Sequence, residues 1–160
     1  MGFQKLSLKG RALRLLAQRE HSRSELQAKL ARHVQEGEDL AAILDELQAK
    51  DFINEDRVVE SVVHRRAARL GSQRVMQELR RKGLDEERVR AAGRQLAGSE
   101  LERASAVWRQ RFGAVADTPA ERARQMRFLA ARGFAADVVR RVVRGAAGDD
   151  DENGVAGGWE

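Results

Sequence analysis

Residues 76–92 read MQELRRKGLDEERVRAA, and residues 126–142 read MRFLAARGFAADVVRRV. The two align without a gap, Met76 with Met126, Leu79 with Leu129, Gly83 with Gly133, Leu84 with Phe134 and Val89 with Val139. A recurrence at this spacing restricts the chain to architectures built from equivalent units, each burying its apolar face against a neighbour. Within each copy the apolar residues keep helical spacing on both sides of the glycine. The unit is therefore a helix, a turn closed by Gly at the C′ position, and a second helix. A cognate pattern, ELQAKLARHVQEGEDLAAIL, places Leu26 and Leu30 where Val75 and Leu79 stand, but its turn HVQEGEDL is longer.

Capping signals divide the rest of the chain into helices. Ser7 opens a first helix with Leu13, Leu16 and Ala17 on one face. Ser22 and Glu25 in SRSE form a capping box for a second. A third starts near Glu38 or Asp39 and carries Leu40, Ile43, Leu44 and Leu47 as one stripe. Asn54 caps a fourth, expected to reach about Leu70, with Val58, Val59, Val62, Val63 and Ala67 inward. Gly71 breaks it and Ser72 caps a fifth, while Asp85 caps a sixth, with Glu86 and Glu87 at its positive end. A seventh carries Leu101, Ala104, Trp108 and Phe112. Thr118, Pro119 and Glu121 open an eighth as N-cap, N1 and capping-box partner. A ninth holds Val138, Val139, Val142 and Val143 and ends at Gly145. No alternating runs of β-branched residues suggest strands. The expected fold is all-α, three tandem three-helix repeats at 1–53, 54–98 and 99–145, with an acidic, disordered tail at 146–160.

Charge is distributed unevenly. Residues 1–56 hold 9 basic and 10 acidic side chains, 57–148 hold 21 and 10, and 149–160 hold none and 5. A basic second and third repeat suits an anionic partner, either nucleic acid or acidic protein surface. Cys is absent, so disulfides and thiolate metal sites are excluded. No secretory leader and no apolar run of membrane-spanning length is present. A soluble, cytoplasmic, monomeric protein without membrane contact is expected.

Catalytic constellations are missing. His21, His33 and His64 share no ligand spacing and read as solvated. Neither GxxxxGK[ST] nor GxGxxG occurs. Ser22, Ser24, Ser72 and Thr118 are accounted for by capping. Asp45 with Glu46, and Glu86 with Glu87, fall on helix surfaces. The expectation is no enzyme, no metal and no cofactor. The candidate binding residues are therefore basic: Arg65, Arg66 and Arg69; Arg74, Arg80, Arg81 and Lys82; Arg122, Arg124, Arg127 and Arg132. The Arg80–Lys82 run is the foremost of them, because the second copy of the repeat reads AAR there. Phe and Trp are not interleaved with these clusters, which favours phosphate or carboxylate contacts over base stacking.

HSRSELQAKL (21–30), LDELQAKDFINEDRVVESVVHRRAA (44–68), GSQRVMQELRRKGLDEERV (71–89) and ERARQMRFLAARGFAADVVRRVV (121–143) occur in this order and spacing. In them, across roughly residues 8–145, the chain resembles the RecX family of bacterial regulators of the recombinase RecA. The third stretch is the most specific. Where that family often has Gly before the fourth helix, this chain has Asp51. The resemblance implies an elongated, curved array that binds along the groove of the RecA–single-stranded-DNA filament. It implies inhibition of RecA's ATPase, strand-exchange and coprotease activities, and so modulation of recombination and the SOS response. It carries no catalytic residues. The competing reading is a nucleoid-type or helix-turn-helix DNA-binding protein acting without RecA.

Overall fold

The computed structural model describes residues 5–145; the expected tail at 146–160 lies outside them. The described residues hold nine α-helices and no strand: α1 Leu8–Gln18, α2 Arg23–Leu30, α3 Leu40–Ala49, α4 Glu55–Arg66, α5 Ser72–Arg81, α6 Glu86–Ala97, α7 Glu100–Arg111, α8 Pro119–Ala131 and α9 Ala136–Gly145. The all-helical reading holds. By contact the chain divides into two compact units, Met1–Arg65 with Met76–Ala92, and Arg66–Val75 with Gly93–Glu160.

The repeat seen in the sequence is a repeat of backbone geometry. Leu79 and Leu129 are fully buried, and Leu84, Phe134, Val89 and Val139 are buried beside them. The amide of Leu84 donates to the carbonyl of Leu79 at 3.2 Å, and that of Phe134 to Leu129 at 3.3 Å. Gly83 and Gly133 between them have φ of 79° and 88°. This is the six-to-one bond of a Schellman turn, whose left-handed residue is tolerated best by Gly. The same bond closes α3, from Phe52 to Leu47 at 2.9 Å, with Asp51 at φ 66° in the left-handed place. Asp is one of the few side chains that enter this region. Its carboxylate is held there by Asn54 Nδ2 and Arg57 Nη1, both at 2.8 Å. The replacement of Gly by Asp51 thus keeps the turn.

In the first unit α1, α2 and α3 enclose Leu8, Ala12, Leu26, Leu30, Leu44, Leu47 and Ile53. The buried face of α1 is Leu8 and Ala12, with Leu13 and Leu16 half-buried, and Ala17 is exposed, contrary to expectation. Ser7 caps α1 as expected, accepting from the Gly10 amide at 3.0 Å. The Ser22–Glu25 box is complete, with both reciprocal bonds at 3.1 Å. Ser22 also donates its hydroxyl to the Lys82 carbonyl, so the cap of α2 is fastened to the end of α5. The turn after α2 differs from its cognates. α2 tightens into a 3₁₀ turn at Ala31–His33, and the left-handed residue comes later, at Gly37.

His21 is a correction. It is 1% exposed rather than solvated, with Nδ1 at 3.0 Å from the Arg19 carbonyl and Nε2 at 3.3 Å from Lys29 Nζ. Burial, opposed by the hydrogen bond to Arg19, holds its pKa below the ordinary value. Neutral imidazole with its proton on Nδ1 satisfies both partners. His33 is half-buried and His64 exposed.

Glu25 is the electrostatic centre of this unit. Burial raises its pKa, but Arg19 at 2.7 Å, the Ser22 amide and Lys82 outweigh that and hold it at about 2. A carboxylate depressed below its unfolded value stabilises the fold above about 4.5 and loses that contribution as pH falls through about 2. Glu25→Gln is expected to lower stability by about 1–3 kcal/mol at pH 7. Urea midpoints of variant and parent should converge as pH falls from about 4.5 towards 2. A gap that stays constant over that range would refute the role given to the charge.

The second unit packs α7 and α8 against α9 around Ala104, Trp108, Leu129, Phe134 and the four valines of α9. Three expectations change here. α4 ends at Arg66, not near Leu70. The carbonyls of Ala67 and Leu70 turn instead to the Arg103 guanidinium, at 2.8 and 2.7 Å. Ser72 is the first residue of α5 rather than its cap. Its hydroxyl donates to buried Glu100 at 2.9 Å. Thr118 caps α8 as expected, but Glu121 reaches the amide of Asp117 rather than completing the box at Thr118.

Candidate anion-binding surface

Each basic candidate must be judged by whether its charge is already answered. Arg80 is not free: Nε and Nη2 bind the Glu86 carboxylate at 3.1 and 2.7 Å as a fork. Lys82 is only 14% exposed and reaches both oxygens of Glu25 at 3.4 Å. Of the Arg80–Lys82 run only Arg81 is exposed and without a partner among the described residues. The run is therefore not a single basic patch. Two of its three charges are already paired with carboxylates of the first unit.

Arg65 stands exposed on the last turn of α4, its Nε 3.4 Å from the Ser61 carbonyl. Arg66 ends that helix. Arg74 lays its aliphatic stem over the α8–α9 turn, so close to Gly133 that a Cβ there would meet its Cγ at 2.1 Å. On α8, Arg124 and Arg127 are one turn apart and exposed, whereas Arg122 points elsewhere around the helix. α8 thus carries an arginine pair and not a stripe.

Arg69 and Arg132 are brought together. With Ala68, Val107, Gln110, Arg111 and Phe128 they line a depression of about 380 Å³ in the second unit. The Arg132 guanidinium lies over the Phe128 ring at 4.7 Å, and Arg111 stands at 5.6 Å from Phe128 and 5.7 Å from Phe112. The two rings meet edge to face at 5.3 Å. No carboxylate pairs with Arg69, Arg111 or Arg132 among the described residues. Cation–π contact orients a guanidinium while leaving its N–H edge outward. These two guanidiniums, with that of Arg69 lining the same depression, attract a phosphate or carboxylate. The expectation that aromatic residues stay apart from the basic clusters is corrected here. Sequence reasoning missed Arg111, although Arg111–Phe112 sits one helical turn from Trp108 and was a visible signal.

A second basic groove was hidden by the near-neutral charge of residues 1–56. Arg11, Arg14, Lys29, Arg32 and His33 converge on Leu15 and Leu30 in the first unit. His33 reports the field, its pKa pushed below the ordinary value by burial and by Arg11, Arg32 and Lys5. Acidic side chains of that segment pair elsewhere, Glu46 with Lys9 and Lys50 among them.

Among the described residues no three His, Asp or Glu side chains gather closely enough to hold a metal ion. No described helix is long and apolar enough to cross a membrane.

Two family models match the chain: the second three-helix domain of RecX over residues 54–92, and the third over residues 99–143. A regulatory protein RecX of Leptothrix cholodnii is 51% identical over 148 residues, covering 92% of this chain and 94% of its own. That of Ralstonia nicotianae is 48% identical over 143 residues, covering 89% and 90%. The crystal structure of RecX from Lactobacillus salivarius superposes with a TM-score of 0.72 over 88% of this chain and 94% of that one, at 19% identity. A further crystal structure of regulatory protein RecX gives 0.69, over 84% and 70%, at 22%. At these identities the structural likeness is one of fold.

Proposed function

This chain belongs to the RecX family of regulatory proteins, and from that premise we propose that it regulates RecA by binding the RecA–single-stranded-DNA filament in the cytoplasm. Binding lowers the filament's ATPase, strand-exchange and coprotease activities, and so tempers recombination and the SOS response. The protein acts as a monomer of three three-helix repeats, 1–53, 54–98 and 99–145. It needs no cofactor, and it meets DNA chiefly as part of the filament.

The observation that carries this reading is the unanswered arginine cluster. Arg69, Arg111 and Arg132 converge with no carboxylate partner, at an open depression rather than a closed pocket. An enzyme would enclose and desolvate its substrate, whereas this surface offers anion contacts to something large. Arg81, Arg124 and Arg127, exposed elsewhere, add contacts of the same kind. Spread contacts of modest strength give affinity for a repetitive polymer through avidity.

The test is a titration of single-strand-dependent RecA ATPase. The parent protein is expected to inhibit at near-stoichiometric or lower ratios. Replacing Arg69, Arg111 and Arg132 with Ala should raise the half-inhibiting concentration at least about tenfold, the scale of losing a few charge-assisted contacts. Arg80→Ala should change it little, because Arg80 already serves Glu86. Absence of inhibition by the parent protein would refute the reading. Tight binding to bare single strands with a steep salt slope, and no effect on RecA, would favour a DNA-binding protein acting alone.

A further inference from the structure

Between α7 and α9 of the second unit runs an open groove of about 800 Å³. Its floor is apolar, formed by Leu101, Trp108 and Val142. Its rim carries Arg109, Arg140, Arg141 and Arg144, against a single acidic residue, Asp137. None of these four guanidiniums forms a hydrogen bond or salt bridge among the described residues. In the first unit, by contrast, Arg80 is answered by Glu86, and Arg88 by Asp56 and Asp85. Gly145, the last residue of α9, itself lines the groove. The chain continues from that point as AAGDDDENGVAGGWE.

We propose that this groove is the binding site of the chain's own acidic segment. Asp149, Asp150, Asp151 and Glu152 face the arginine rim, and Trp159 covers the apolar floor. Charge is the first argument. Four successive carboxylates, with no basic residue anywhere in 146–160, meet four unpaired guanidiniums. Arginine and carboxylate pair as matched forks. Reach is the second. An extended chain spans at most ~3.5 Å per residue, so Asp149 lies within ~14 Å of Gly145 and Glu152 within ~25 Å. Arg141 and Arg140 stand only ~6–8 Å back along α9, at 1.5 Å rise per residue. The acidic run can therefore turn back over them, and the seven residues from Glu152 to Trp159 add up to ~25 Å of further reach for the indole along the groove. The third argument is polarity. A groove with an apolar floor and a cationic rim calls for an occupant that is both acidic and aromatic, and 146–160 is such a segment.

Tethering sets the strength. Attachment through only three residues, 146–148, gives the segment an effective concentration on the order of millimolar. A weak contact is then populated, yet yields to a tighter polyanion. The segment thereby competes with external phosphate for the α7–α9 rim and sharpens selection for multivalent partners. This inference stands independently of RecA.

Because the chain has no Cys, Gly158→Cys takes a single spin label. In the full-length protein at low salt, paramagnetic broadening is expected on the amides of Leu101, Ser105, Arg109 and Arg141, and not on those of α1–α3. Arg140→Glu with Arg141→Glu, both exposed and so expected to leave helicity unchanged, should abolish it. Deleting 146–160 should tighten binding of a fluorescent single-stranded oligonucleotide by about two- to tenfold, through release of the competitor. No localised broadening at low salt, or broadening that survives the double charge reversal, overturns the proposal. Neither result bears on RecA inhibition, which is read separately.

Discussion

Gly71→Ala is expected to unfold the second unit, lowering stability by about 3 kcal/mol or more. A Cβ at this position would stand 2.2 Å from the carbonyl carbon and oxygen of Gly133 and 2.3 Å from the Phe134 nitrogen. All three are backbone atoms, so no rotamer change relieves the overlap. Separating the strands of chain would break the Gly71 amide's bond to the Arg132 carbonyl at 2.8 Å and that of Gln73 to Gly133 at 3.2 Å. It would also disturb the Schellman turn whose left-handed residue is Gly133. Gly98→Ala is the control, since its Cβ would meet nothing nearer than 3.8 Å. Thermal or urea unfolding followed by circular dichroism separates the two. A Gly71→Ala variant as stable as Gly98→Ala would show that the close approach is not required.

Glu100→Ala is expected to cost about 3–5 kcal/mol, close to Gly71→Ala, by a different route. Glu100 is 4% exposed at the start of α7. Its Oε2 accepts from the Ser72 hydroxyl at 2.9 Å, and its Oε1 from the amides of Ser72 at 3.3 Å and Ala135 at 3.2 Å. One carboxylate thus satisfies the first amide of α5 and the amide beside the start of α9. Truncation leaves three donors without an acceptor, two of them buried at Ser72 and each of those worth about 1–3 kcal/mol. Glu100→Gln keeps the volume but turns one acceptor into a donor, so it should recover only part of the loss. Urea midpoints for the three proteins check the order, parent above Gln above Ala. A variant with Ala within about 1 kcal/mol of the parent would mean that water replaces the carboxylate without penalty.

The fold was legible because its signals are local. Met76, Leu79, Gly83, Leu84 and Val89 and their partners fifty residues on needed only helical periodicity and one left-handed turn to be read. The caps at Ser7, Ser22, Asp39, Asn54, Asp85 and Thr118 were readable for the same reason, since each involves an amide three residues away. Several of the misreadings concern partners distant in the chain. Ser72 looked like a cap because its acceptor, Glu100, is 28 residues off. His21 looked solvated because its burial comes from other helices. α4 looked longer because Arg103, 36 residues beyond Ala67, takes its carbonyl.

The candidate site divides along the same line. Sequence by itself determined that the chain is all-helical, that its turns recur, and that its middle and end are rich in arginine. A count of charges, however, cannot say which are already neutralised. Only the tertiary structure decided that Arg80 and Lys82 are spent on Glu86 and Glu25, and that Arg69, Arg111 and Arg132 gather unpaired around Phe128. Periodicity fixes which face of a helix is apolar, because that depends on neighbours three and four residues away. The free charge at a surface depends on which carboxylate the fold sets within about 4 Å, whether that residue is six positions off, as Glu86 is from Arg80, or 57, as Glu25 is from Lys82.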